Sequence, residues 1–431
     1  MGTLSADLAF RGLVHQVSEP GVVARLDAGG IVTYGGFDPT APSLHVGHLV
    51  PISMLRRVQL SGNPPIVVAG GGTGLIGDPG GKTSERSVLS REEVDANLAG
   101  VRPQLELLLD FSPGAGSARA ALVDNAEWLA GIAMVDFLRD VGKHFTVNQM
   151  VAKESVRSRF ERAGQGISFT EFSYMLLQAY DFLRLHVDRG CTLQIGGSEQ
   201  WGNITMGIEL VRKATGHEVH GLTLPLLLKA DGTKFGKTES GTVWLDARLT
   251  SPYRFYQYFV QVEDAVVGTL LRRLTFLSHE EILELEREVA ERPERRAAQR
   301  ALARAVATMV HGESEAARAE RASAALFGEA IAGLDERTLL EVVDEAPSSS
   351  LPRSILDGDG PSAPTLVDLL VDAGLTRSKS EARRAVAQGG VYVNNVRASD
   401  ADHILSSRDL LHDRYVVLRR GRRDYHLLRL E

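Results

Sequence analysis

Through its first 228 residues or so, the chain alternates short apolar runs with glycine-rich turns and amphipathic stretches. No other feature constrains the fold as strongly. Pro65-Ile66-Val67-Val68-Ala69 and Cys191-Thr192-Leu193-Gln194-Ile195 read as buried strands. Helical patterns lie between them, as over residues 127–139. Strands that alternate with helices build a parallel sheet. The expected class is therefore α/β, with a Rossmann-like parallel-sheet domain over residues 1–228.

Strand signals vanish from about residue 253 to 345. Residues 280–310 are helical in pattern, with a break near Pro293. The run APSSSLPRSILDGDGPSAP is made of turn-forming residues and reads as a linker. Beyond it come a helix pair over 365–388 and short strands at Val391–Val393 and 415–418. The expected organisation is the Rossmann-like domain at 1–228 and a loop and connection at 229–252. An all-helical domain at 253–345, a linker at 346–363 and a small α+β domain at 364–431 follow. The last of these carries a net charge of +3 against −10 for the rest, giving −7 in all. A basic tail on an acidic body fits a polyanion contact, and also a merely solvated surface.

Composition excludes several classes. A single cysteine, Cys191, rules out a disulfide scaffold and a multi-thiolate zinc site, and fits a reducing, cytoplasmic compartment. The first twenty residues contain no long apolar core, so no secretory signal is expected. No apolar run approaches the roughly 20 residues that span a bilayer.

Four constellations carry chemistry. Gly72-Thr73-Gly74-Leu75-Ile76-Gly77 follows a strand and matches G-x-G-x-x-G, but Asp78-Pro79-Gly80-Gly81 resists the helix that a dinucleotide site requires. It fails as a phosphate loop as well, because Ile76 stands where a glycine is needed before Gly81-Lys82-Thr83. What remains is a glycine-rich backbone that permits close approach of a ligand. In DPTAPSLHVGHL, prolines and Ser43 mark a helix start, with the helix continuing through Leu55. That places His45 and His48 near the first turn, where free N–H groups favour an anion, and Gly47 keeps the surface low. Surface histidines and a half-built metal site are the competing readings; no third ligand is evident. Tyr174, Gln178 and Asp181 fall within an arc of about 60° on one helix face. Apolar neighbours surround them, so they serve either an internal network or a polar-tipped ligand. Finally, Lys234-Phe235-Gly236-Lys237-Thr238 puts two lysines on a glycine-bearing loop, either a plain surface hairpin or mobile charge suited to a polyphosphate.

The ordered set resembles one family. His45-Val46-Gly47-His48 resembles the His-x-Gly-His motif of class I aminoacyl-tRNA synthetases, and Lys234-Phe235-Gly236-Lys237-Thr238 their Lys-Met-Ser-Lys-Ser motif. YGGFDPTAPSLHVGHL, GGGTGLIGDPGGKTSER, FTEFSYMLLQAYDF and LQIGGSEQWGNI resemble the bacterial tyrosyl-tRNA synthetases. TRSKSEARRAVAQGGVYVNN resembles an RNA-binding domain shared with a small-subunit ribosomal protein.

The resemblance implies a ligase that activates tyrosine with ATP and passes it to the 3′ end of tRNA. It implies that Tyr34 and Asp181 bond the phenolic hydroxyl, that Asp78, Tyr174 and Gln178 hold the ammonium, and that Gln200 sits near the carboxylate. Gly36, Asp38, Gly47 and Gly197 would line the adenylate, with Glu199 near the ribose in place of the family's usual Asp. Thr40, His45, His48, Lys234, Lys237 and Thr238 would contact ATP, and Lys82 and Arg86 would close over the pyrophosphate. Mg2+ would arrive with ATP, no resident metal being expected. The helical and C-terminal domains would bind tRNA, no membrane contact is expected, and a homodimer is implied, with Phe169 at its interface. Against tryptophanyl relatives stand the hydroxyl-seeking Tyr34 and Asp181. A small-molecule nucleotidyltransferase would not need the helical domain or the basic tail, and the intact lysines and histidines argue against an inactive RNA-binding scaffold.

Overall fold

A computed structural model describes residues 2–78, 89–153, 156–157, 167–238, 241–325, 331–344, 346–356, 363–421 and 424–431, with Lys237 and Thr238 as backbone only. The chain divides into two compact units, Met1–Thr250 with Phe259–Val310, and Ser251–Tyr258 with His311–Glu431.

The first unit is built on a six-stranded sheet. Its elements include α1 (Leu4–Arg11), β1 (Gln16–Val17), β2 (Thr33–Phe37), α2 (Leu49–Leu60), β3 (Pro65–Ala69), α3 (Arg91–Leu108) and β4 (Ala121–Asp124). They continue with α4 (Phe169–Arg189), β5 (Leu193–Gly197), α5 (Trp201–Thr215), β6 (His220–Leu224) and α6 (Asp264–Leu274). The strand order is β1-β6-β5-β2-β3-β4, parallel throughout except for the edge strand β1. Every residue of β3 is buried, as its unbroken apolar run requires. The chain leaves β2 towards β3 and β4 but leaves β5 towards β6. β2 and β5 are therefore neighbours at a topological switch point, the place where open α/β sheets form a ligand crevice beyond the carboxyl ends of their strands. In register, Tyr34 lies between Ile66 of β3 and Gln194 of β5.

Local chemistry sets the helix ends. Ser90 and Glu93 form a capping box at the start of α3, and Ser168 caps α4 through the Glu171 N–H. Gly190, at φ +65°, ends α4: its N–H donates to the His186 carbonyl, and the Cys191 N–H donates to that of Leu185. At the far end of α6, the buried Arg11 donates to the carbonyls of Arg272, Thr275 and Leu277, and Arg57 donates to Thr275 as well. The helical pattern over 127–139 is two helices, Ala126–Leu129 and Met134–Asp140, with Gly131 between them. The break expected near Pro293 is a single 3-10 turn, Pro293–Arg295, between helices His279–Glu291 and Ala297–His311.

The second unit differs from the expected division. Its five-stranded sheet runs Val396–Arg397, Val391–Val393, Tyr415–Arg420, Asp424–Leu430 and Ser348–Leu351, the last pair parallel. A strand therefore stands inside the stretch read as a linker. Val416, Leu418 and Leu428 pack with Leu366, Leu370, Ala382 and Val386 on one face. Val417 and Leu427 pack with Ala322, Ala325, Leu339 and Val343 on the other. Because Tyr415–Arg420 is apolar on both sides, it needs cover on both. Helices from the region expected to form a separate all-helical domain supply half of that cover. Helices α6, His279–Glu291 and Ala297–His311 belong instead with the sheet of the first unit, up to Val310.

Candidate active site

The crevice at the switch point is entered along the segment after β2. The helix start expected at Ser43 lies at Val46, where a 3-10 turn (Val46–His48) leads into α2 and His45 serves as the N-cap. Ser43 instead donates its hydroxyl to the Leu44 carbonyl and accepts from Gln104 and from the Asp246 N–H. His45 Nδ1 accepts from the Gly47 N–H at 3.1 Å, and His48 Nδ1 accepts from the His45 N–H at 3.1 Å. The two rings stack with centroids 3.9 Å apart. Each Nδ1 is thus an acceptor, which assigns the proton of the neutral ring to Nε2. Burial, with His45 alongside, pushes the His48 pKa down to about 3, so His48 is a neutral donor at pH 7. Gly47 is required here: a Cβ would lie 2.8 Å from the His45 ring.

The lysine-bearing loop is knitted to this turn. The Val46 N–H donates to Val243 O, and the Val243 N–H to Gly236 O, both at 3.1 Å. Gly236 has φ +96°, and a Cβ on it would meet Val46 Cγ2 at 2.6 Å. Phe235 is buried against Phe259. Lys234 is exposed. Lys237 and Thr238 pair by backbone with Gly241 and Thr242. Lys82 and Arg86 lie outside the described residues. Thr40 is exposed and its N–H donates to Asp38 O. A side chain at Gly36 would meet nothing within 4 Å, whereas one at Gly197 would strike the Glu199 carboxylate at 2.4 Å. Glu199 has an exposed surface, yet the protein around its carboxylate raises its pKa, while Lys234 pulls it down and Asp78 adds to the rise.

The glycine-rich segment makes a single 3-10 turn, Thr73–Leu75, rather than the helix of a dinucleotide site. The two glycines just before it make room for the protein's own carboxylates. A Cβ on Gly70 would lie 2.1 Å from Asp38 Oδ1, and one on Gly71 would lie 2.2 Å from Asp124 Oδ1.

Deeper in, two polar networks meet. Asp38 accepts from Thr73 Oγ1 and from Tyr174 Oη, each at 2.7 Å. Asn125 accepts from the Gly72 N–H and donates to Thr73 Oγ1 and Asp181 Oδ2, both at 3.0 Å. Trp128 Nε1 donates to Asp181 Oδ1 at 2.7 Å. Burial pushes the Asp181 carboxyl up to about 7; the hydrogen bonds from Asn125 and Trp128 lower it, while Asp38 and Asp124 raise it. Tyr34 is 1% exposed, packs edge-on against Phe182, and its hydroxyl has no hydrogen-bond partner. Burial and the nearby Asp181 hold it protonated. In the second network, Gln200 Nε2 donates to Asp78 Oδ2 at 2.6 Å, and Asn203 Nδ2 donates to Gln178 Oε1 at 2.9 Å and Gln200 Oε1 at 3.3 Å. The stripe of α4 thus ties into both networks: Tyr174 and Asp181 into the first, Gln178 into the second.

Sequence reasoning missed Thr73, Asn125, Trp128, Asn203 and Gln194, whose buried Oε1 has no partner. Asn125 follows β4 directly, and the residue after a parallel strand is a place to look for ligand contacts. The others carry no local signal. Among the described residues, no group of three or more His, Cys, Asp or Glu is placed to hold a metal, and no helix is long and apolar enough to cross a membrane.

The comparisons with known proteins agree with one another. Residues 27–328 match the family model of class I tRNA synthetases (W and Y), and residues 349–428 match the tyrosine--tRNA ligase SYY-like C-terminal domain. A tyrosine--tRNA ligase of Roseiflexus castenholzii is 55% identical over 100% of both chains. That of Geobacillus stearothermophilus is 50% identical over 99% of each. A C-terminally truncated mitochondrial tyrosyl-tRNA synthetase of Aspergillus nidulans superposes with a TM-score of 0.68 at 32% identity, covering 76% of this chain and 95% of that one. A tryptophanyl-tRNA synthetase of Encephalitozoon cuniculi, at 12% identity and a TM-score of 0.53, shares the fold alone. With full-length relatives at this identity, and both histidine and lysine motifs set around one crevice, the chain belongs to the tyrosine--tRNA ligases of the class I aminoacyl-tRNA synthetases.

Proposed function

We propose that this chain activates tyrosine with ATP, releasing pyrophosphate, and then transfers the tyrosyl group to the 3′ end of its tRNA. The observation that carries the reading is the Tyr34 hydroxyl, buried with no partner, within electrostatic reach of a carboxylate, Asp181, held by two neutral donors. Such a pair accommodates a ligand that brings a hydroxyl of its own, able to accept from one group and donate to the other. Asp78, Tyr174 and Gln178 hold the substrate ammonium, and Gln200 its carboxylate.

The amino acid carboxylate is already ionised at pH 7 and attacks the α-phosphorus of ATP without a general base. One carboxylate oxygen forms the new P–O bond as the bond to pyrophosphate breaks. Catalysis is placement and charge stabilisation. His45 and His48 supply neutral Nε2–H donors at the start of α2. Thr40, Lys234, Lys237 and Thr238 attend the phosphates, with Lys82 and Arg86 as further cations. Gly36, Asp38, Gly47 and Gly197 line the adenylate, and Glu199 faces the ribose. Mg2+ enters as part of the ATP substrate.

The second unit, with the C-terminal sheet, is the tRNA-binding part. Two copies of the chain pair through the apolar residues Met134, Val135, Leu138, Val147 and Phe169, all exposed on elements that share one core through Val141, Met150 and Met175. The enzyme works in the cytoplasm. ATP–pyrophosphate exchange with each of the twenty amino acids tests the reading. Exchange with tyrosine alone is expected, and exchange with tryptophan, or none at all, would overturn it.

A further inference from the structure

Asn203 lies in the first turn of α5, three residues beyond Gln200, and is only 6% exposed. Its Nδ2 donates to two carbonyls at once, those of Gln178 and Gln200. The direction of this chain of amides is set at its far end. Asp78 Oδ2 accepts there, so Gln200 turns its Nε2 towards it and its carbonyl away. The Asn203 amide meets that carbonyl with a donor, and meets the Gln178 carbonyl in the same way.

A carboxamide turned by 180° has nearly the same shape, so shape alone does not choose its orientation. For Gln200 the choice matters: its Nε2 carries two hydrogens, one given to Asp78, the other able to donate to a substrate carboxylate. Turned over, it would present an oxygen to that carboxylate. Asp78 is an incomplete anchor, because on the reading above it also receives the substrate ammonium. A second anchor on the opposite side of the amide is needed.

We propose that Asn203 is a positioning residue for recognition of the amino acid's α-carboxylate, acting by fixing the carboxamide of Gln200. The inference rests on Gln200 being the carboxylate contact. It assigns to Asn203 a role in telling an amino acid from the corresponding amine, distinct from recognition of the phenol at the other end of the pocket.

The test compares tyrosine with tyramine, which keeps the phenol and the ammonium but lacks the carboxylate. Dissociation constants are measured by equilibrium dialysis of labelled tyrosine, with tyramine as competitor, on the full-length protein. Asn203→Asp replaces the donor by an acceptor against two carbonyl oxygens. It is expected to weaken tyrosine about tenfold or more, the scale of a lost hydrogen bond to a charged group, and tyramine far less. Asn203→Ala, which adds no charge, should shift the tyrosine-to-tyramine ratio in the same direction by a smaller factor, and it decides the matter if the aspartate variant does not fold. An unchanged ratio, both ligands weakening equally or neither weakening, would place any effect on the ammonium through Gln178 or on the fold, and would overturn the proposal. Gln200→Ala separates the two levels. If it removes the preference for tyrosine while the Asn203 variants keep it, only the positioning role falls. If it leaves the preference intact, the reading of Gln200 falls first and takes this inference with it.

Discussion

The two ends of the crevice are built on opposite plans. The phenol end is dry: Tyr34 and Asp181 are buried, and a tryptophan and an asparagine, far away in sequence, hold Asp181 in place. The phosphate end is a half-buried turn, His45-Val46-Gly47-His48, bound through backbone hydrogen bonds to a second loop whose Lys234 stands in solvent. A dry site makes each polar partner count heavily and so sorts ligands by their functional groups. A site of donors and mobile cations can follow a charge that moves during reaction. On the proposed function one end serves choice and the other rate, so substitutions at the two ends should separate in their kinetics.

The largest expected effect lies at the phosphate end. Lys234→Ala and His45→Ala should each lose about 2–4 kcal/mol of transition-state stabilisation, the range for one lost preorganised donor. The loss should fall on kcat, with the KM values for ATP and tyrosine moving much less. Pre-steady-state adenylate formation, followed by release of labelled pyrophosphate, measures it. A large rise in the KM for ATP at constant kcat would make these residues ground-state binders and erase the contrast.

Asp181→Ala should come next, and should change preference rather than rate. It removes the ligand's acceptor and strands the Trp128 and Asn125 donors, a cost of about 1–3 kcal/mol for each group left unpaired. Tyrosyl-tRNA synthetases as a class reject phenylalanine by about 10⁵-fold because the site is built for a hydroxyl, a figure that describes the class as a whole. The ratio of kcat/KM for tyrosine over phenylalanine should fall by about a hundredfold or more, in line with the loss of those buried bonds. An unchanged ratio would show that the phenol is recognised elsewhere.

The same contrast explains what the sequence reveals. The histidine turn of the phosphate end is contiguous, so proline, serine, histidine and glycine within a dozen residues announce a helix start, although His45, not Ser43, turns out to cap it. The parallel sheet is legible because β3 has to be apolar throughout. At the phenol end only the α4 stripe shows, because helical periodicity places Tyr174, Gln178 and Asp181 on one face. Asn125 and Trp128 stand more than fifty residues from Asp181, and nothing local marks a polar residue whose partner is that distant. The unit boundaries fail for a related reason. The serine-rich stretch before Leu351 looks like a linker, but its pairing with Asp424–Leu430 satisfies a strand edge that no local pattern discloses. The G-x-G-x-x-G match misleads in the opposite sense, because Gly72 and Gly74 yield space to Leu129 and Pro39 of the protein itself rather than to a ligand.

A milder perturbation of the phenol end is pH. With Asp181 raised to about 7 in the free protein, its carboxyl binds a proton in the fold at pH values where the unfolded chain has lost it. Its contribution to stability is therefore intact below the ordinary carboxylate range and declines as pH rises from there to about 7. Tyrosine binding has the opposite sign, because a phenol donates best to the ionised carboxylate. The dissociation constant for tyrosine should fall about tenfold between pH 6 and 8, following the ionised fraction of one group titrating near 7. Asp181→Asn should flatten the profile. Isothermal titration at both pH values decides it, and a profile that survives in the asparagine variant would point to another group.

The smallest effect should come from Tyr34→Phe, and it has two signs. In the free protein the Tyr34 hydroxyl is buried without a partner, so removing it removes a desolvation cost with no bond to lose. The variant should therefore be slightly more stable, by about 1 kcal/mol, the low end of the cost of an unsatisfied buried group. With tyrosine bound, the hydroxyl gains its partner, and the variant should lose about 0.5–1.5 kcal/mol of tyrosine affinity, as for one neutral hydrogen bond. Phenylalanine, which has no hydroxyl to satisfy Tyr34, should bind the variant at least as well as the parent. Thermal denaturation with and without tyrosine reads both signs in one experiment: the midpoint should rise without ligand, and the ligand-induced increment should shrink. A variant less stable without tyrosine would mean that the hydroxyl already has a partner, and the phenol end would then lose the vacancy that makes it selective.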